Sequence, residues 1–256
     1  MKPLLRDKTI LITGGTSYLG QAFVRKALEH GAKVFFTFHQ AQEIAKKLNQ
    51  LGARGYACDL ADVKEMEVFS ASFIEEAGQL DVLIHNAAAT ADALIEKMSE
   101  EAWDEVMNVN LKAPFYLTKQ LLPLLFKKGV RHQFPAMVSD TITPAKVFMI
   151  VSRAGLGGLY GAANYAASKG GLIAMTKTLA KELGRKKVLV NAVNPGFMRS
   201  AMTAKVSDAI LQKNLHESPL KTFSDPEEVA GFLVYLSSDL MRQVTGQVFH
   251  FESRPF

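Results

Sequence analysis

Two side chains that can exchange protons, Tyr165 and Lys169, lie four residues apart in the sequence. In a helix predicted from Ala163 to Leu183, this spacing places both side chains on one face. With six tyrosines and many lysines in the chain, such a pair taken alone is also consistent with an ordinary surface pair. Ser152 ends the strand that precedes this helix, and Asn110 ends an earlier helical turn. We therefore predict that these four side chains form a proton-transfer site across a crevice.

The chemistry of this set depends on the charge of Lys169. A free tyrosine has a pKa of about 10, which is too high for efficient proton exchange near neutral pH. A nearby ammonium group favours the phenolate and lowers that pKa. We predict that Lys169 lowers the pKa of Tyr165 in this way, and that Tyr165 is the proton donor.

A glycine-rich turn, Thr13-Gly-Gly-Thr-Ser-Tyr-Leu-Gly20, follows the first predicted strand and precedes a helix. Glycines in this context let the backbone approach a pyrophosphate, whose charge is met by free N–H groups and the helix dipole. Taken alone, the turn is also consistent with an ordinary tight turn, but its place between strand and helix favours dinucleotide binding. The predicted contacts are Gly14, Thr16, Ser17, Tyr18, Leu19 and Gly20.

The end of the second predicted strand should meet the adenosine ribose, about 20 residues after the glycines. Phe38, His39 and Gln40 occupy this place, and no Asp or Glu lies between Phe35 and Gln42. A carboxylate at this place would bind the ribose diol of NAD and repel a 2′-phosphate. We therefore predict NADP(H) in preference to NAD(H), with His39 beside the cofactor. His39 is also consistent with a solvated turn residue.

These residues are positioned by short apolar runs that alternate with longer amphipathic segments. The runs are apolar on both faces, which is typical of buried parallel strands. Strands are predicted at Thr9–Thr13, Lys33–Phe38, Val82–His85, Lys146–Ser152, Val188–Val193 and Gln247–Phe251, and helices at Leu19–His30, Val63–Ala77, Glu100–Val109, Phe115–Lys127 and Ala163–Leu183. This order predicts an α/β fold over residues 1–256. We expect a single domain with a Rossmann-like, doubly wound parallel sheet of about seven strands, helices on both faces, and a binding crevice at the carboxyl ends of the strands.

Composition argues against several classes of protein. A lone cysteine, Cys58, rules out an internal disulfide, and residues 1–8 carry charges where a signal peptide needs an apolar run. The apolar stretches are far shorter than the roughly 20 residues that cross a bilayer, and the net charge of +5 is spread along the chain. We expect a cytoplasmic protein without a metal site that binds neither membrane nor nucleic acid.

From Asp7 to about Phe251, the chain resembles the short-chain dehydrogenases/reductases (SDRs). Besides the glycine loop, the matching motifs are Asp59-Leu60, His85-Asn86-Ala87-Ala88, Asn110, Ser152 with Tyr165-x-x-x-Lys169, and Asn194-Pro195-Gly196. This resemblance implies an oxidoreductase with a nicotinamide cofactor. It places Asp59 and Leu60 at the adenine, Asn86, Ala87 and Ala88 on the adenosine side, and Pro195, Gly196, Met198 and Ser200 at the nicotinamide amide.

The same resemblance assigns roles within the proton-transfer set. Lys169 is expected to bind the ribose hydroxyls, Ser152 to polarise the substrate oxygen, and Asn110 to offer a backbone site for a water relay. A hydride would come from the nicotinamide ring. In reduction, Tyr165 would donate the proton as negative charge develops on the carbonyl oxygen, where Ser152 can stabilise it.

Several segments resemble the 3-oxoacyl-[acyl-carrier-protein] reductases within this family. They are Thr90-x-Asp92-x-Leu94 with Met98 and Trp103, the run Ala163–Lys169, and Ser218-Pro219-Leu220. We expect NADPH-dependent reduction of a 3-oxoacyl thioester linked to acyl-carrier protein or CoA. One alternative is another SDR activity, on a sugar, steroid or small alcohol. A second alternative is a catalytically inactive nucleotide-binding scaffold. Met98 and Trp103 are also consistent with helix core residues that have no substrate role.

The sequence departs from the family pattern in three of its motifs. Tyr18 stands where the family has its middle glycine, His85-Asn86-Ala87-Ala88 replaces Asn-Asn-Ala-Gly, and Glu252-Ser253-Arg254 replaces Asp-Gly-Gly. Because Tyr18 cannot let the backbone come as close, we expect an effect on cofactor affinity or pose. The contacts of the C-terminal segment are expected to be rebuilt.

Two longer segments carry further expectations. Residues 129–145 form an atypical insertion before the fifth strand, and residues 197–223 are a candidate apolar lid over the substrate, with plain helical packing as the alternative.

Family members assemble through helices that include Phe115–Lys127 and Ala163–Leu183, which implies a homotetramer or homodimer. Lys127, Lys128 and Arg131 are a candidate patch for an acidic carrier protein, although charge runs are more often solvated surfaces.

Overall fold

Seven parallel strands form one sheet in the computed structural model, which describes residues 3–126, 143–198, 203 and 207–254. The strands are β1 Thr9–Ile12, β2 Lys33–Phe38, β3 Arg54–Ala57, β4 Val82–His85, β5 Ala145–Ile150, β6 Val188–Asn194 and β7 Val248–His250. Their order across the sheet is β3-β2-β1-β4-β5-β6-β7. The chain adds β2 and β3 on one side of β1 and β4 to β7 on the other side. Between β1 and β4, this switch in strand order opens a crevice at the carboxyl ends of the strands. The predicted doubly wound fold is confirmed.

Helices cover both faces of this sheet. They are α1 Tyr18–Glu29, α2 Gln42–Gln50, α3 Val63–Ala77, α4 Glu100–Met107, α5 Ala113–Leu125, α6 Ala154–Gly157, α7 Ala163–Leu183, α8 Asp208–Glu217 and α9 Pro226–Ser237, with a π-helical turn at Asn108–Lys112 and a 3-10 turn at Gly184–Lys186. None of the helices within the described residues is long and apolar enough to span a membrane.

The side chains of β1 point alternately to the two faces of the sheet, and the core has one layer on each face. Ile10 and Ile12 pack with α1 and α9 on one face, whereas Leu11 packs with α3, α5 and α7 on the other. Successive strand side chains point to opposite faces of a sheet, and both faces of β1 are buried. This two-sided burial explains why its sequence is apolar without interruption.

Strand ends differ slightly from the sequence prediction. β5 ends at Ile150, so Ser152 lies two residues beyond the strand, in the crevice. β5 also begins at Ala145, the last residue of the predicted insertion. The rest of that insertion up to residue 142, together with Lys127, Lys128 and Arg131, lies outside the described residues.

Candidate active site

The four predicted catalytic residues converge at the carboxyl edge of the sheet. Ser152 follows β5, and Tyr165 and Lys169 lie on the first two turns of α7. Ser152 lies close enough to the Tyr165 phenol to act on its pKa in the lowering direction, and the Lys169 ammonium nitrogen lies 5.6 Å from the centroid of the Tyr165 ring. Asn110 is fully buried on the π-helical turn before α5. The structure therefore brings together residues that are up to 59 positions apart in sequence.

Lys169 is buried, with its side chain fixed by a contact with the sheet. Its Nζ donates to the carbonyl oxygen of Ile150 at 2.8 Å. Burial lowers the pKa of Lys169 to about 8, because a charge loses its solvation in an apolar environment. Lys169 is thus protonated at neutral pH and titrates on the alkaline side.

The direction of the Tyr165 pKa corrects the sequence prediction. Burial raises the pKa of Tyr165 above its ordinary value, the Ser152 hydrogen bond acts in the lowering direction, and the charge of Asp92 raises it further. The net shift is opposite to the predicted lowering, because desolvation of the phenolate is its largest cause. Tyr165 therefore keeps its proton at neutral pH, which is the state that a proton donor requires.

Asn110 connects two segments that meet in the crevice. Its Oδ1 accepts from the amide of Ala89 at 2.7 Å, and its Nδ2 donates to the carbonyl of Ala89 at 3.0 Å and to Ser168 Oγ at 3.2 Å. The side chain thus ties the loop after β4 to α7, close to Tyr165. Its role as a backbone site for a water relay stays a prediction.

The glycine loop joins β1 to α1 in the geometry expected for a phosphate site. Ser17 is the N-cap of α1, and its Oγ accepts from the amide of Gly20 at 3.1 Å. Gly14 has a φ of +65°, and a side chain at Gly14 would come within 2.9 Å of the Ala87 backbone. A Cβ at Gly20 would lie 2.4 Å from the Gly14 carbonyl oxygen. Both glycines are therefore required by close backbone contacts.

Tyr18 causes no such conflict, although it stands at the family's middle glycine. It is the first residue of α1, and 55% of its side chain is exposed. The ring therefore lies at the surface of the crevice rather than inside the loop. Its effect on the cofactor stays a prediction.

The start of α1 offers hydrogen-bond donors to an anion. The amide of Ser17 donates to the Gly14 carbonyl and that of Gly20 to Ser17 Oγ, both at 3.1 Å. Within the described residues, no acceptor is found for the amides of Tyr18 and Leu19, because the first N–H groups of a helix have no partner inside it. These donors and the helix dipole fit a diphosphate. Thr16 lies beside them, and its carbonyl accepts from Gln21 Nε2.

Asn86 supports the loop from the neighbouring strand. Its Nδ2 donates to the carbonyl oxygens of Thr13 and Gly14 at 3.0 and 2.9 Å and lies 3.1 Å from Ser17 Oγ. The amides of Asn86 and Ala87 donate in turn to Thr13 Oγ1. The sequence analysis missed Thr13 as a site residue, although its place directly before the glycines was the available signal. Ala88 follows this contact, half-buried.

The predicted adenosine side lies at the ends of β2 and β3. His39 Nε2 is 3.8 Å from Asp59 Oδ2, and Asp59 Oδ1 accepts from the amide of Ala61 at 2.9 Å. Leu60 is buried beside them. His39 is exposed, so its imidazole is accessible to a ligand, and the Asp59 carboxylate lies beside it.

The predicted nicotinamide side follows β6. Pro195 is buried, Gly196 has a φ of +78°, and Met198 is half-buried. A Cβ at Gly196 would lie 2.7 Å from the Phe251 carbonyl oxygen, so the C-terminal segment packs directly behind this glycine. Ser200 lies outside the described residues.

A surface depression beside the crevice is lined by part of the segment that resembles the 3-oxoacyl reductases. Its lining residues are Ile95, Met98, Ser99, Glu100, Trp103 and Asp104. Met98 and Trp103 are half-buried and lie outside both core clusters, and their contact with a substrate stays a prediction. Asn164, which the sequence analysis missed as a positioning residue, holds this segment: its Nδ2 donates to the carbonyls of Ala91 and Ala102 at 2.9 and 3.0 Å.

The candidate lid segment contains α8, which has no buried residue. Leu211 and Leu215 on this helix are half-buried, so the burial of α8 does not distinguish a lid from plain helical packing. The rings of Phe197 and Phe223 lie 5.1 Å apart and bring the two ends of the segment together. Met202 lies outside the described residues, and the function of the segment as a lid stays a prediction. Among the described residues, no group of three or more His, Cys, Asp or Glu side chains is arranged to hold a metal ion.

Comparison with known proteins identifies similarity over nearly the whole chain. The model of a family described as enoyl-(acyl carrier protein) reductase matches residues 15–253. The 3-oxoacyl-[acyl-carrier-protein] reductase FabG of Thermotoga maritima is 36% identical over 249 residues, with 95% of this chain and 96% of that protein covered. FabG of Aquifex aeolicus is 35% identical, with 98% of both covered. A solved structure, the Pseudomonas aeruginosa RhlG/NADP active-site complex, has a TM-score of 0.86 and 29% identity, and covers 99% of this chain and 98% of that chain.

Proposed function

Since the chain belongs to the short-chain dehydrogenase/reductase family of oxidoreductases, we propose that it reduces the 3-oxo group of an acyl thioester with NADPH. The observation that carries this proposal is the phenol of Tyr165 beside the Ser152 hydroxyl, with the buried ammonium of Lys169 5.6 Å from the Tyr165 ring centroid. Two hydroxyl donors can bind one carbonyl oxygen, and one of them can protonate it.

The cofactor, when bound, supplies a hydride to the carbonyl carbon. The residues of the chain then manage the charge on oxygen. Ser152 donates a hydrogen bond to that oxygen, and Tyr165, whose raised pKa keeps it protonated, transfers its proton to complete the alcohol. Lys169 is charged below a pH of about 8 and stabilises the phenolate that remains.

The residues that would hold the cofactor lie along the carboxyl edge of the sheet. We assign the diphosphate to the Tyr18 and Leu19 amides. The remaining contacts are Gly14, Thr16, Ser17, Gly20, His39, Asp59, Leu60, Asn86, Ala87 and Ala88 on the adenosine half, and Tyr165, Lys169, Pro195, Gly196, Met198 and Ser200 on the nicotinamide half. Asn86 would act through the loop, because its side-chain amide is already bound to Thr13 and Gly14.

The preference for NADP(H) is supported by the exposed imidazole of His39 at the end of β2. The imidazole, whose Nε2 lies 3.8 Å from Asp59 Oδ2, can donate a hydrogen bond to a 2′-phosphate. The similar P. aeruginosa structure is an NADP complex by its description. Asp59 itself disfavours a 2′-phosphate, so we expect a moderate preference rather than exclusion of NAD(H).

The substrate class is supported by the FabG relatives, which are named as 3-oxoacyl-[acyl-carrier-protein] reductases. We propose that this chain acts in fatty acid biosynthesis on an acyl group carried by acyl-carrier protein or CoA. The buried free thiol of Cys58 suits the reducing cytoplasm. A homo-oligomer, tetramer or dimer, is part of the same proposal.

The test is oxidation of NADPH or NADH by purified protein, measured at the reduced-nicotinamide absorbance band with a short 3-oxoacyl thioester. Rapid oxidation of NADPH, with slower oxidation of NADH, is the expected result. A 2-enoyl thioester of the same length is the matched control, because the matching family model is described as an enoyl reductase. Reduction of the enoyl thioester alone would contradict the proposed reaction, as would turnover of a sugar or small ketone without turnover of either thioester.

A further inference from the structure

The C-terminal segment after β7 contains a nearly buried ion pair, Glu252 and Arg254. The Arg254 Nη2 lies 2.6 Å from Glu252 Oε2, and the side chains are only 12% and 3% exposed. Arg254 Nε also donates to Glu252 Oε2 at 2.7 Å. A pair buried to this extent loses much solvation, and removing one partner leaves the other charge uncompensated. This segment replaces the Asp-Gly-Gly ending that the family resemblance leads one to expect.

One end of this pair reaches the predicted nicotinamide side. Asn194 Nδ2, at the end of β6, donates to Glu252 Oε1 at 2.7 Å. Asn194 Oδ1 accepts from the Gly196 amide at 3.3 Å. A Cβ added at Gly196 would lie 2.7 Å from the Phe251 carbonyl oxygen and 2.8 Å from the Glu252 Cβ, so the segment that carries Glu252 packs closely against the turn after β6.

The other end of the pair reaches α8. Arg254 Nη1 donates to Asn214 Oδ1, and the guanidinium lies 6.0 Å from the ring centroid of Phe197. Ser253 and Ser218, the residue after α8, form a hydrogen bond of 2.5 Å between their hydroxyl groups. These polar contacts connect α8 and the residue that follows it to the segment after β7.

We propose that Glu252 and Arg254 are positioning residues for the nicotinamide half of the cofactor site. A continuous series of contacts runs from Asn214 through Arg254 and Glu252 to Asn194 and the Gly196 amide. The pair thus holds α8 and the turn after β6 in one arrangement, and it does so without touching the cofactor. This inference rests on the proposed function, which assigns Pro195, Gly196 and Met198 to the nicotinamide.

The first test is hydrogen–deuterium exchange of the cofactor-free protein. Arg254→Met keeps the length of the side chain but removes its charge, and Glu252→Gln keeps the shape of the partner. Both variants should increase exchange in residues 194–198 and 208–217 relative to α9. Lys213→Ala is the matched control. Lys213 forms an exposed ion pair with Glu217 on the same helix, at 3.9 Å, and this pair does not contact the turn after β6. Unchanged exchange in residues 194–198 of both variants would overturn the proposal.

The second test separates positioning from general support of the fold. Arg254→Met should weaken NADPH binding by about tenfold, while binding of 2′-phospho-ADP-ribose, which lacks the nicotinamide, stays within about twofold of the wild type. Equal weakening of both ligands, or of neither, would contradict a nicotinamide-specific role. Wild-type protein that binds neither ligand would contradict the proposed function instead, and the exchange comparison would still decide whether the pair holds the turn.

Discussion

The phenol of Tyr165 holds its proton more firmly than a free tyrosine does, since burial raises its pKa. A strong donor would release a proton more easily, but a group that is already ionised has no proton to give. Ser152 resolves part of this conflict, because its hydrogen bond stabilises the phenolate and acts in the lowering direction. Under the proposed mechanism, Ser152 would therefore act on both the substrate oxygen and the proton donor.

Replacement of Tyr165 by phenylalanine tests this assignment. Tyr165→Phe should lower turnover by about 10²–10⁴-fold, the usual contribution of a general acid, while the melting temperature and the dissociation constant for NADPH change little. Stopped-flow kinetics and nicotinamide fluorescence measure the two effects. Tyr160→Phe is the matched control, because Tyr160 is 89% exposed and should keep full activity. Wild-type turnover in Tyr165→Phe would sink the mechanism.

Lys169 leads to a prediction about pH. Its pKa of about 8 is lowered by burial, so the ammonium is present below that pH and is lost above it. The reduction rate should therefore be flat near neutral pH and decline as the pH rises through about 8. Arginine stays protonated far above this range, so in Lys169→Arg the decline should move to higher pH, whatever the absolute rate. If the reduction rate of Lys169→Arg still declines near pH 8, another group causes the decline and the prediction is contradicted.

At the scale of elements, His85 joins β4 to α5 within the core. Its Nε2 lies 2.9 Å from Thr118 Oγ1, and no partner is found for Nδ1 within the described part of the chain. Burial lowers the pKa of His85 to about 3, so the ring is neutral in the folded protein. Asn86, which supports the glycine loop, follows directly, and the His85 contact therefore helps to fix the strand end that carries this support.

The titration of His85 predicts acid sensitivity of the fold. An unfolded histidine has a pKa of about 6.5, so between pH 6.5 and about 3 the unfolded chain binds a proton that the folded chain does not. The free energy of unfolding should fall through this window by up to about 1.4 kcal/mol per pH unit. His85→Asn removes this contribution, so its stability deficit at pH 7.5 should shrink as the pH is lowered.

Urea unfolding at pH 7.5, 6 and 5 measures the difference. Comparison with the wild type cancels the titration of other groups. His216→Asn provides the control, since His216 is exposed and should leave the pH profile unchanged. A constant gap between His85→Asn and the wild type across the three pH values would show that His85 does not stay neutral in the fold.

At the scale of the whole molecule, the outer face of α5 carries an apolar side chain in solvent. Phe115 is 51% exposed, near the start of a helix whose other face is buried against the sheet. The family resemblance assigns subunit contacts to this helix and to α7. An exposed aromatic side chain on that face is consistent with burial against a second copy of the chain.

Assembly is therefore predicted to depend on Phe115. Light scattering after size exclusion should give a mass that is a multiple of the 28.1 kDa chain. Phe115→Glu would bury a charge in the interface, which is unfavourable without a partner, and should shift the protein towards the monomer. Leu51→Glu tests a comparably exposed apolar residue, 57% exposed and located after α2, and should leave the mass unchanged. A monomeric wild type would contradict the prediction.

Sequence alone predicted every described strand except β3, the helices α1, α3, α4, α5 and α7, the glycine loop and the Ser152, Tyr165 and Lys169 set. These features have local signals: apolar period, turn residues and spacing along one helix each reflect backbone geometry over a few residues. Because the strands are parallel and doubly wound, their carboxyl ends must meet. The convergence of the predicted catalytic residues could therefore be expected without coordinates.

Only the tertiary structure decided which groups bind one another across long separations. The amide of Asn86 holds Gly14 from 72 positions away, and Arg254 reaches Asn214 across 40 positions. It also decided the sign of the Tyr165 pKa shift, which the charge of Lys169 alone predicted wrongly. The desolvation of a titratable group depends on all the residues packed around it, and these residues come from distant segments of the chain. A sequence pattern carries no measure of it.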